Sequence, residues 1–186
     1  TPDYGRAGRN LPAAIAVGVG LLALVTISLF VDQLIFALLA AVVSVLGVRE
    51  LTNATVVGLS SRMATLLKIC APVIVILASS GSASDVLFSY VASVIAVLTL
   101  RLLDGQEAYV HHVTRSIFVL TYVPLLISFA VLLSAQSNGA WKVMAFILLT
   151  TATDLGAYIA GVLFGKSPMA PKISPKKTWE GFCLLY

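Results

Sequence analysis

Apolar runs of about twenty residues, each closed by a short polar connector, recur along this chain and constrain its fold more than any other feature. They fall at about 11–31, 33–48, 63–80, 85–103, 113–135 and 140–165. A helix needs roughly 20 such residues to cross a hydrocarbon core of about 30 Å. In lipid every backbone N–H and C=O must be satisfied within the segment, so runs rich in Ile, Val and Leu are read as helices, not strands. The expectation is an all-α, polytopic transmembrane bundle with six spans, residues 1–10 forming a tail and 11–186 one membrane domain. The second span looks short. Pro72 and Pro124 fall inside the third and fifth spans and are expected to kink them.

Composition excludes a water-soluble domain: 59% of the 186 residues are hydrophobic and 11% charged, against roughly 25% charged in soluble proteins. The net charge of +4 is carried by residues between apolar runs, which points to membrane topology and away from nucleic acid. Cys70 and Cys183 are too far apart in sequence to suggest a disulfide framework or a metal spacing. Lysines and arginines set the orientation. Arg6, Arg9, Arg49, Arg62, Lys68, Arg101, Arg115, Lys166, Lys172, Lys176 and Lys177 fall on one side and Lys142 alone on the other. The N-terminus and the substantial polar loops are therefore expected in the cytoplasm. After Thr178 eight residues remain, about 12 Å of helix at 1.5 Å per residue. The natural protein is expected to continue through a seventh span that begins here.

Asp154 is the residue least suited to lipid. It lies 11 residues before Gly165, about 16 Å of helix, and an ionised side chain at such depth costs at least about 2.5–3.5 kcal/mol on insertion scales. At 100° per residue Thr150, Asp154, Tyr158, Gly161 and Gly165 share an arc of about 80°. Such a stripe suits either helix packing, with Asp154 answering a buried arginine, or a water-filled cleft in which the carboxylate holds a metal or orients a nucleophile. The following segment, Lys166 to Gly181, contains Pro168, Pro171 and Pro175. Ser174 suits an N-cap and Pro175 a first helical position, so a helix is expected to start here. Lys176 and Lys177 would then stand at the positive end of a dipole, a placement that an anion reverses. Together with Ser174 and Thr178 they would form a phosphate cradle; the plainer reading is that the lysines only obey the positive-inside rule. His111 and His112, beside Asp104 and Glu107, are better explained by a solvated loop than by a metal. Asp32 and Asp85 look like turn residues, with Asp85 a helix cap.

Asp154-x-x-Ala157-Tyr158-x-x-Gly161-x-x-Phe164-Gly165-Lys166, followed by Ser174-Pro-Lys-Lys-Thr-Trp-Glu-Gly181, resembles the phosphatidate cytidylyltransferase (CDP-diacylglycerol synthase) family. The Glu50-Leu51 pair and the span spacing are similar to that family as well. The resemblance implies transfer of CMP from CTP to phosphatidic acid with Mg²⁺, in phospholipid biosynthesis at the inner (plasma) membrane of a bacterial cell. It further implies that Asp154, Lys176 and Lys177 are catalytic, with Asp154 also a metal ligand. Tyr158, Gly161, Gly165, Lys166, Lys172, Ser174 and Thr178 would bind substrate. The family's principal metal-binding aspartates are expected beyond Tyr186, so this chain would hold half a site. A CTP-using lipid kinase, an isoprenoid-lipid cytidylyltransferase and an anion transporter are the alternatives; no repeat symmetry favours the transporter. The oligomeric state stays open, a homodimer being one option.

Overall fold

The computed structural model describes residues 11–55, 59–105, 108–164, 168–170 and 174–179. Among the described residues seven α-helices follow one another: α1 (Leu11–Val31), α2 (Gln33–Thr55), α3 (Ser61–Leu77), α4 (Ala83–Leu103), α5 (Tyr109–Leu120), α6 (Leu126–Ser134) and α7 (Gly139–Phe164). Among the described residues five stretches are long and apolar enough to cross a membrane: Gln33–Thr55, Ser61–Ser80, Ala83–Leu103, Tyr109–Ser134 and Gly139–Gly161. These apolar helices make the chain an integral membrane protein. Six such spans were expected. Within α1 the corresponding apolar stretch is the shorter Ile15–Val31. The second span is not short: α2 has 23 residues and carries Arg49 and Glu50 within its last two turns. The chain divides into two compact units, Thr1–Ala140 and Trp141–Tyr186.

In the first unit α3 is the hub, packed against α2, α4, α5 and α6. Its buried stripe, Met63, Leu67, Ala71, Ile74 and Val75, follows the spacing of one helix face. The facing helices present small residues: Ala37, Ala41 and Ser44 on α2, Ser89 and Ser93 on α4, Ser116 on α5 and Ser128 on α6, all buried. Lipid gives no hydrophobic drive for one helix to join another, so close backbone approach and dispersion have to hold such a bundle. Large apolar side chains point outward instead, among them Leu34, Leu38, Leu46, Phe88, Ile95 and Phe129. This is an inversion of the soluble pattern that a lipid solvent explains.

The prolines act differently from each other. Pro72 sits within an uninterrupted α3, whereas Pro124 lies in a π-helical turn, Thr121–Leu125, that joins α5 to α6. Widening the turn accommodates a residue that has no N–H to donate. Here α2 comes close: a Cβ added at Gly47 would stand 3.0 Å from Val123 Cγ1. At one end of the unit the Gln33 amide donates to the Ser79 carbonyl at 2.8 Å, and Gly81, with φ +76°, reverses the chain before α4. Asp32 is the turn residue expected, its Oδ1 accepting from Leu34 N–H at 2.7 Å. Asp85 is not a cap. It lies in the first turn of α4, whose N-cap is Ser82, and its carboxylate accepts from Ser80 Oγ at 2.6 Å, where the helix dipole favours a negative charge.

At the opposite end the helices are tied in two pairs, α3 with α4 and α2 with α5. Ser60 caps α3 by accepting from Met63 N–H at 3.2 Å and donates to Asp104 Oδ2 at 2.7 Å. Arg62 pairs with Asp104 at 3.7 Å, and Arg115 of α5 donates to the carbonyl of Thr55, the last residue of α2. These contacts join the end of α2 to α5 and the start of α3 to the end of α4.

Candidate active site

The second unit comprises the remainder of α7 and a ribbon of two antiparallel strands, β1 (Pro168–Ala170) and β2 (Ser174–Thr178). Pro168 faces Thr178 and Ala170 faces Ser174, with an irregular register between. The all-helical fold class holds apart from this short ribbon, but one expectation is corrected: no helix starts at Ser174. Ser174 is not an N-cap, Pro175 is not a first helical residue, and Lys176 and Lys177 do not stand on a helix dipole. Pro175 itself supplies the reason. A residue before proline is driven to extended backbone, and in a two-stranded ribbon a residue without an N–H is tolerated because both strands are edges.

Asp154 sits in the interior of α7, ten residues before its last residue Phe164. It is exposed, and its carboxylate has no hydrogen-bond or ion-pair partner among the described residues. One turn earlier the exposed Thr150 donates to the Phe146 carbonyl at 2.9 Å, a local bond that leaves its hydroxyl able to accept. Gly161 is half-buried, and by helical spacing Thr150, Asp154, Tyr158 and Gly161 stay within one face. Leu155, Ile159, Leu163 and Phe164 are exposed around them. Gly165, Lys166 and Lys172 lie outside the described residues, as does the expected start of a seventh span after Thr178, apart from Trp179.

No group of three or more His, Cys, Asp or Glu side chains able to hold a metal ion occurs among the described residues. His111 and His112 lie not in the expected loop but in the first turn of α5, their rings 5.8 Å apart and tilted. Sequence reading missed the polar cluster of Ser60, Arg62 and Asp104. The available signal was Asp104 directly after a helix whose last turn holds Arg101, an acid at the unfavourable end of a dipole and hence in need of donors.

Comparison with known proteins bears on the same residues. The model of the cytidylyltransferase family matches residues 12–184. The phosphatidate cytidylyltransferase of Mycobacterium leprae is 35% identical over 202 residues, covering 98% of this chain and 64% of its own length. That of Mycobacterium bovis is 32% identical over 194 residues, 97% of this chain and 63% of the relative. The enzyme of the same name from Rickettsia bellii is 39% identical over 62 residues, 33% of this chain and 27% of the relative. The chain thus spans somewhat under two thirds of the mycobacterial relatives it matches. No solved structure matches it.

Proposed function

The chain belongs to the cytidylyltransferase family, and on that premise we propose that the protein transfers CMP from CTP to phosphatidic acid, giving CDP-diacylglycerol and pyrophosphate. A phosphate oxygen of phosphatidic acid forms a bond to the α-phosphorus of CTP. The bond from that phosphorus to the α,β-bridging oxygen breaks, and pyrophosphate carries the electron pair away. The observation that carries this reading is the family match over residues 12–184, supported by the relative from Mycobacterium leprae that bears the name of this activity.

Nucleotidyl transfer asks the protein mainly for positioning and charge neutralisation. Lys176 and Lys177 supply positive charge to the triphosphate, joined by Lys166 and Lys172, while Ser174 and Thr178 offer hydroxyl donors. With the dipole argument gone, the ammonium groups and the ribbon carry that task. Asp154 holds the acidic position, and Tyr158, Gly161 and Gly165 line the cleft beside it. A carboxylate is a hard oxygen donor, and Asp154 has no partner among the described residues, so it fits one ligand position of Mg²⁺, an ion that takes one or two carboxylates alongside water and phosphate oxygens. Bound there, Mg²⁺ would neutralise charge on the reacting phosphates. Further acidic ligands are needed for a complete site.

A lipid substrate and a water-soluble nucleotide must meet at an interface, and the basic side of the bundle is that interface. The excess of Lys and Arg assigns it to the cytoplasm, with six spans, the N-terminus inside and the protein in the bacterial inner membrane. Supplying full-length protein with phosphatidic acid, Mg²⁺ and CTP labelled at the α-phosphate tests the reading. The expected product is labelled lipid. Transfer only from γ-labelled CTP would make the protein a kinase, transfer to an isoprenoid phosphate alone would change the acceptor, and no turnover would reject the reaction.

A further inference from the structure

Two grooves open on the surface of the first unit, each holding one arginine near the basic end of the helices. One, of about 450 Å³, is lined by Ser61, Arg62, Thr65, Leu66, Ile69 and Leu100. The other, of about 570 Å³, lies between the end of α2 and the side of α5 and is lined by Ala54, Thr55, Thr114, Arg115 and Phe118. They differ in charge. Arg62 has Asp104 as an ion-pair partner at 3.7 Å, so the first groove offers an anion little net attraction. Arg115 donates to a neutral carbonyl, that of Thr55, and has no carboxylate partner among the described residues. A guanidinium carries five N–H donors, so this bond fixes the group and leaves donors for an anion. The exposed Thr114 adds a hydroxyl at the same rim.

The wall of the second groove changes character with depth. Phe118 follows Arg115 by three residues, about 4.5 Å of helix, and stacks on Tyr122 with ring centroids 5.4 Å apart and 19° between planes. Both rings face outward, Phe118 47% and Tyr122 58% exposed, on a span apolar enough to cross the bilayer. A cation above and an aromatic strip below complement a molecule with an anionic head and an apolar body. Free phosphate would use only the first. We propose that this groove holds an anionic phospholipid of the surrounding bilayer, its phosphate on Arg115 and Thr114 and an acyl chain along Phe118 and Tyr122. The site is independent of the CMP-transfer reading, because none of its residues is assigned a part in that reaction.

Native mass spectrometry of the detergent-purified protein with phosphatidylglycerol and phosphatidylcholine of identical acyl chains tests the proposal. Wild type is expected to retain phosphatidylglycerol in preference to phosphatidylcholine by about fivefold, the equivalent of one cation near a phosphate surface. Arg115→Gln should bring the ratio to parity, Arg115→Lys should keep most of the preference, and Arg62→Gln should leave it unchanged. An unaltered ratio in Arg115→Gln, or an equal loss in Arg62→Gln, overturns the proposal. Displacement of the lipid by inorganic phosphate also overturns it, by making a soluble anion the ligand. Should Arg115→Gln fail to fold for want of its bond to Thr55, a photocrosslinking benzoylphenylalanine at position 118 gives a second readout. Adducts with anionic phospholipid in intact membranes are expected, and adducts only with phosphatidylcholine or with none contradict the assignment.

Discussion

Polarity is handled in opposite ways in the two units of this chain. In the first, polar side chains are buried between helices or bonded to one another: Ser44, Ser89, Ser93, Ser116 and Ser128 lie inside, and Asp104 is held by Ser60 and Arg62. In the second, α7 carries the exposed Asp154 without a partner among the described residues, and the lysines follow in a two-stranded ribbon. An intramembrane acid held in an ion pair can be structural; one left open costs stability that nothing nearby returns. Under the proposed CMP transfer, the first unit serves as scaffold and the second carries the chemistry.

Mutations can break or sharpen this contrast. The largest effect is expected from Lys176→Ala with Lys177→Ala, which should lower CMP transfer by roughly two to three orders of magnitude, the scale of losing preorganised charge at a phosphoryl site, while Lys142→Ala changes it little. Initial rates with α-labelled CTP measure this, and equal losses in all three positions would remove the phosphate role of the ribbon. Next comes Gly47→Leu. A side chain there would strike Val123 in the π turn, and overpacking of this kind costs about 1–3 kcal/mol, visible as a lower unfolding temperature in detergent. Activity of the protein that remains folded should be near normal. The smallest effect is expected at Ser116, whose buried hydroxyl has no hydrogen-bond partner among the described residues. Ser116→Ala removes an unsatisfied group and should be neutral or slightly stabilising, within about 1 kcal/mol, by the same thermal measurement.

The spans were legible because bilayer thickness imposes a length on any apolar run, and α3, α4 and the α5–α6 pair fall close to where hydropathy puts them. Boundaries failed where charge was taken for an end. The second run was closed before Arg49, yet α2 continues through Arg49, Glu50 and Leu51 to Thr55, since these are adequate helix formers and a helix does not stop at the edge of the lipid. Asp85 was read as a cap from its type, although Ser82 holds the capping position. The ribbon was illegible for a different reason. Ser174-Pro-Lys-Lys has the local signature of a helix start, but its backbone is decided by pairing with Pro168–Ala170, a contact no local pattern announces. Asp154 and the lysines stood out from sequence because a charge in or beside lipid is expensive. The groove at Arg115 did not, because its two walls come from helices about sixty positions apart in the chain.

Replacing Asp154 by Asn is the most direct test of the assignment of chemistry to α7. It removes the charge, retains the shape, and disturbs no hydrogen bond recorded for the carboxylate. CMP transfer to phosphatidic acid should fall by at least about a hundredfold, as for loss of a charged group at a reacting centre, with the unfolding temperature unchanged or raised. Transfer within threefold of wild type, or loss of activity matched by loss of the folded protein, would contradict it.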